Sequence, residues 1–278
     1  MPKVKVGDID IYYEDQGKGE ALVLIAGIIN NSTTWWRNIS VFSQEYRVIA
    51  IDNRGSGRSD KPDIPYSMEM MAADIAGLLN TINVDAAHIF GVSLGGDIAQ
   101  HFALHYPERV ISLVLGCTSC GGGHAIRSSA ETRSSFRAMF NQEYQAEMQK
   151  LSLEEQAKKV FPLFFTQKFI DGNPTIMGQH QSISWQYMDP LYSLARQGQA
   201  SAAHDTYERL PQIKAPTLVI AGDADRGVPV ENSRLLVSRI PNAELVILKN
   251  VGHAFYVEAA EEANRVILDF LRQHPRSS

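Results

Sequence analysis

The chain alternates between short, almost wholly apolar runs and longer stretches with apolar residues at helical spacing. At the start, "KVKV" and "IDIYYE" alternate on either side of Gly7-Asp8, which predicts an opening hairpin. Six later runs are near-continuous instead: "ALVLIAG" (21–27), "RVIAID" (47–52), "AHIFGV" (87–92), "VISLVLG" (110–116), "APTLVIAG" (215–222) and "AELVILK" (243–249). Such runs belong to a parallel sheet covered on both faces. Between several of them lie helical patterns. Residues 67–82 start at an N-cap candidate, Ser67, and residues 258–272 carry Glu258, Glu261 and Glu262 early and Arg272 late, as the helix dipole prefers. Strand–helix alternation predicts an α/β doubly wound fold. No internal repeat or low-complexity tract interrupts it.

The rhythm breaks between about residue 122 and residue 209. There β-branched runs vanish, "SLEEQAKK" offers a capping box in Ser152 and Glu155, and aromatics such as Phe136, Phe164, Trp185 and Tyr192 punctuate the segment. This predicts a division of 1–121 and 210–278 as one core, with 122–209 inserted as a helical cap. The competing expectation is extra core helices with no special role.

Composition narrows the function classes. The 278 residues are 44% hydrophobic and 21% charged, which suits one large core with or without an insertion. A formal net charge of −5 argues against nucleic acid or an anionic membrane as partner. The N-terminus lacks an apolar signal region and no run is long enough to span a bilayer, so a cytoplasmic protein is expected. Cys117 and Cys120 alone do not make a disulfide scaffold.

The chemistry centres on "HIFGVSLGGDIAQHFAL" (88–104). Ser93 sits between Gly91 and Gly95 where a strand becomes a helix, the context of a nucleophile elbow. A serine hydroxyl needs a base, usually histidine, oriented by a carboxylate. After the run 215–222, "GDADRGVP" offers Asp223 and Asp225; after the last run, "NVGHAFYVE" offers His253. These positions lie past C-terminal strand ends, where open α/β sheets place ligands. Alternation does not choose between the two aspartates, which share a face. Asp223, next to the strand end, suits a bond to nearby amides, whereas Asp225 lies further out with more reach toward a neighbouring loop.

In "DNRGSGRSD" (52–60), "GVSLGG" (91–96), "GDADRGVP" (222–229) and "VGH" (251–253), in that order, the chain resembles the α/β-hydrolase-fold family over essentially its full length. The resemblance implies a mostly parallel eight-stranded sheet flanked by helices. It also implies Ser93 as nucleophile, His253 as base, Asp225 as the orienting acid, and an oxyanion hole from the amides of Ile28 and Leu94. Serine-bearing members include carboxylesterases, lactonases, haloperoxidases, thioesterases and carbon–carbon bond hydrolases. The usual His-Gly after the third strand is here Ala26-Gly27-Ile28, which bears on the support of that loop. Asn30, Asn31 and Ser32 follow it, either as pocket polar groups or as turn residues.

Other signals are discounted. Cys117-Thr-Ser-Cys120 runs into three glycines rather than opening a helix, and with His124 gives three ligands at best, so no metal is expected. His101 and His105 lack a zinc-protease glutamate and are expected to favour a helix C-terminus. No cofactor is implied. The expected reaction is cleavage of a small to medium, largely apolar carboxylic ester or lactone through an acyl-enzyme, with Phe164 and Trp185 lining the pocket. Arg127, Arg133, Arg137, Lys168 and Arg196 are candidates for a substrate carboxylate, most of them expected at the solvated surface. The alternatives are an enol-lactonase, a carbon–carbon hydrolase, or a catalytically weak small-molecule receptor.

Overall fold

The computed structural model describes residues 3–276. Eight strands form one sheet in the order β1-β2-β4-β3-β5-β6-β7-β8. They are β1 (Lys3–Val6), β2 (Ile9–Gln16), β3 (Ala21–Ile25), β4 (Arg47–Ile51), β5 (Ala87–Val92), β6 (Val110–Gly116), β7 (Thr217–Gly222) and β8 (Ala243–Leu248). The opening hairpin pairs β1 with β2 antiparallel, and β2 continues antiparallel onto β4. All the remaining pairings are parallel.

The near-continuous apolar runs are explained by burial on both faces. Every residue of β3, β5 and β7 is buried. Alternation divides them: Val23, Ile25 and Ile89 join a cluster with the helices Met68–Thr81 and Leu94–His105. Leu22, Leu24, Phe90 and Val92 join a second cluster with Phe255 and the helix Ala260–Gln273 on the opposite face. The side chain of Ser67 caps the first of those helices by accepting from the Met70 amide.

Helix 258–272 begins later than the charge pattern predicts. Phe255–Glu258 forms a separate short turn, the chain bends at Ala259, and the long helix starts at Ala260. Glu258 is therefore not a dipole partner of that helix. Its carboxylate instead accepts from the amides of Gly252 and Thr166.

Between β6 and β7 the chain leaves the sheet and forms six α-helices, from Ala130–Ala138 to Leu191–Ala202. The capping box is present there, with Ser152 and Glu155 satisfying each other's backbone amides. Because β3 lies between β4 and β5, the connections on its two sides run in opposite directions. The loops after β3 and β5 diverge and leave a crevice at the carboxyl ends of these strands. Among the described residues, no helix is long and apolar enough to cross a membrane.

Candidate active site

Ser93 follows β5 directly and heads the helix Leu94–His105 with φ 54° and ψ −123°. Few L-residues occupy this region, and the surroundings hold it there. Its amide donates to the Gly116 carbonyl of β6 (2.9 Å). The flanking glycines are required by close approach. A Cβ on Gly91 would lie 2.1 Å from the Gly95 carbonyl oxygen, and one on Gly95 would lie 2.1 Å from that of Ile25. The side chain of Ser93 makes no capping bond to the helix it heads. An N-cap serine would accept from the second or third amide, so capping does not explain this serine.

The two aspartates after β7 separate by partner. Asp225 accepts from His253 Nδ1 through Oδ2 (2.7 Å), while its Oδ1 accepts from the amides of Gly227 and Val228 (2.8 and 2.9 Å). Its carboxylate is therefore fixed at both oxygens. Asp223 turns the other way, accepting from the Asn250 amide (2.6 Å) and facing Lys249. His253 is buried. Burial, the largest influence on it, opposes its charge, but the charges and hydrogen bonds of Asp225 and Cys117 outweigh this and raise its pKa well above the usual histidine value.

Cys117 is the partner that the sequence did not reveal. It directly follows β6 with φ 40° and is fully buried. Its thiol bonds His253, and burial raises its pKa. The ligand atoms of Cys117, Asp225 and His253 lie within 4.8 Å of one another. Cys120 lies in the core cluster on the other face, and His124 stacks on Tyr207, so the Cys-x-x-Cys and His124 do not converge.

The loop after β3 is held from below by the "DNRGSGRSD" segment. Asn53 Nδ2 donates to the Ala26 carbonyl (3.0 Å), and Asp52 Oδ1 accepts from the Ser32 amide (2.7 Å). These bonds supply support for a loop that lacks the usual His-Gly. Asn31 proves to be a turn residue, capping Ser32–Trp35, whereas Asn30 lines the cavity that contains Ser93 and His253. Ile28 and Leu94 border Ser93, and the Leu94 amide, as a first helical N–H, has no intrahelical acceptor.

Two cavities flank Ser93. The smaller, about 170 Å³, is lined by His253, Phe164, Tyr256 and Asn30. The larger, about 430 Å³, runs beneath the helix Ala130–Ala138. Phe164 packs on His253 with ring centroids 5.9 Å apart. Trp185 stands apart. It borders neighbouring cavities and packs on Phe161, not on Ser93.

His101 corrects an expectation. It is buried against His204 (3.1 Å), and burial lowers its pKa to about 4, so it is neutral and does not complement the helix C-terminus by charge. His105, at the end of that helix, bonds the His101 carbonyl (2.9 Å).

A sequence profile for the alpha/beta hydrolase fold matches residues 20–260. The chain is 33% identical over 275 residues to a 2-hydroxy-6-oxononadienedioate/2-hydroxy-6-oxononatrienedioate hydrolase of Burkholderia vietnamiensis, covering 96% of this chain and 92% of that one. It is 30% identical to a 2-hydroxy-6-oxo-6-phenylhexa-2,4-dienoate hydrolase of Burkholderia cepacia, covering 94% and 91%. A thermophilic esterase from Thermogutta terrifontis superimposes with a TM-score of 0.82 at 26% identity, over 99% of this chain and all of that one. With its eight-stranded, mostly parallel sheet and this profile match, the chain belongs to the α/β-hydrolase fold family and is a hydrolase.

Proposed function

We propose that the protein cleaves a carboxylic ester or lactone through an acyl-enzyme on Ser93. The observation that carries this reading is a strained, uncapped serine sharing a cavity with a histidine whose far nitrogen is held by a doubly anchored aspartate. Ser93 Oγ attacks the acyl carbonyl and gives its proton to His253. The carbonyl oxygen becomes an oxyanion facing the Ile28 and Leu94 amides. Collapse expels the alkoxide, which takes the proton from His253. Water then enters, loses a proton to His253 and releases the acid, restoring Ser93.

Phe136, Phe140 and Phe164 give the cavities an apolar lining, as ligand sites usually have. On this reading the helices of residues 122–209 act as a cap. A second reading, carbon–carbon bond hydrolysis next to a ketone, is favoured by the names of the two Burkholderia relatives. It would use the same serine, histidine and aspartate.

The test is 4-nitrophenyl butyrate turnover with and without Ser93. Ser93→Ala is expected to lose at least about 10⁴-fold in kcat with an unchanged melting temperature, as nucleophile deletions do. A fluorophosphonate probe is expected to label Ser93 alone. Near-wild-type turnover by the variant would overturn the reading, and a single slow burst from the wild type would point to a receptor.

A further inference from the structure

The larger cavity beside Ser93 carries an excess of positive charge, part of which the fold uses in a bond from Arg133 to the Ser128 carbonyl. Arg127, Arg133 and Arg137 all line it. Among the described residues, none of the three has a carboxylate within ion-pair distance, whereas Arg196 pairs with Asp63 and Arg54 with Asp8 and Asp74. The acid of this cavity, Asp97, is committed elsewhere. Its two oxygens accept from the hydroxyls of Thr118 and Ser201, each at 2.7 Å.

Arg133 and Arg137 are four residues apart on the helix Ala130–Ala138, so they share a face. Like charges at that spacing cost an isolated helix a few tenths of a kcal/mol. A guanidinium presents a fork of donors suited to a carboxylate. Phe136 and Phe140 line the same cavity, and Phe136 also borders the pocket of His253. An apolar stem therefore leads from Ser93 toward the guanidinium groups.

The two cavities also differ in a way that orients a substrate. His253 lines the smaller one, and it must hand its proton to the departing alkoxide. The leaving group therefore occupies the smaller cavity, and the acyl group extends into the larger. We infer that the larger cavity selects acyl chains ending in a carboxylate, bound by Arg133 and Arg137 with Arg127 at the rim. This rests on the ester-hydrolase reading and adds the class of acyl group.

The experiment compares the 4-nitrophenyl monoester of adipic acid with its neutral, methyl-capped counterpart. In the wild type the anionic ester is expected to win in kcat/KM by about tenfold or more, chiefly through KM, as a charge-assisted hydrogen bond warrants. That preference should shrink as salt rises from about 0.05 M to about 0.5 M. It should fall about tenfold in R133A/R137A and partly in R137Q, whose exposed position tolerates substitution. Equal kcat/KM for the two esters, or a preference unmoved in both variants, would overturn the inference and leave the hydrolase reading standing. If neither ester is turned over, the ester-hydrolase reading fails by itself, and calorimetric titration with adipate then decides. Binding by the wild type that is lost from R133A/R137A upholds the carboxylate site; equal or absent binding overturns it.

Discussion

The sheet and the helices inserted after β6 are packed on different terms. β3, β5 and β7 bury every residue. By contrast, the inserted helix Gln167–Gly172 buries none of its residues and Ala130–Ala138 buries only Thr132. Ser93, Asp225 and His253 all hang from ends of the first region, while Arg133, Arg137 and Phe164 come from the second. A group that transfers protons needs placement within a fraction of an ångström, and a dense sheet supplies it. Residues that choose among substrates can sit on loosely buried elements and vary without endangering the fold.

The contrast breaks most visibly at the acid. Asp225→Asn is expected to lose about 10⁴-fold in turnover, as the corresponding change does in the serine-protease example, by fixing the wrong histidine tautomer. Asp223→Asn should keep most of its activity, and the opposite ranking would move the orienting role to Asp223. The same pair tests the pH profile. On the proposed mechanism Ser93 gives its proton only to a neutral imidazole, so turnover is lost as pH falls through the His253 pKa, which is raised above 6.5. The acid limb of kcat/KM should therefore lie above pH 6.5 in the wild type and move down in Asp225→Asn.

Next in size is a glycine at the head of the helix that follows β5. Gly95→Ala forces a Cβ against the Ile25 carbonyl and should cost about 3 kcal/mol or more, read by urea unfolding. Phe164→Ala follows, with a change of several-fold in the ranking of leaving groups, measured on a panel of aryl and alkyl esters. Trp185→Ala should change that ranking less, because Trp185 does not border Ser93. Smallest is Gly178→Ala, inside the inserted helix Pro174–Ser184 with open space around its Cβ, which should stabilise by about 0.5–1 kcal/mol. A large loss there would mean that the inserted helices are packed as tightly as the sheet.

Much of the sheet region was legible because its signals are local. "AHIFGV" coincides with β5, and Gly91 and Gly95 announce a turn that no side chain could enter. The inserted region was legible only as a change of composition. Its arginines could not be sorted from sequence, since Arg196 meets Asp63 from a residue 133 positions away and Arg137 meets no carboxylate. Cys117 was missed for a related reason. Its partner, His253, lies after the last strand, and Cys120, only three residues on, is buried in the cluster on the other face of the sheet. The support that Asn53 gives the Ala26 carbonyl likewise spans two strands and leaves no periodic trace.

The bond from the Ser93 amide to the Gly116 carbonyl has a consequence for the order in which the protein matures. The serine's unusual backbone cannot be fixed until β6 lies beside β5, and His253, its proposed base, arrives only with the loop after β8. Sequence separation on this scale makes such contacts late and slow. During refolding of a chain in which Trp36 and Trp185 are replaced by Phe, Trp35, fully buried against Phe90 and Tyr256, reports burial of the core. Hydrolysis reports something later, the docking of the last loop. The lag between fluorescence and returning turnover therefore measures how long the protein stays folded in outline but chemically silent.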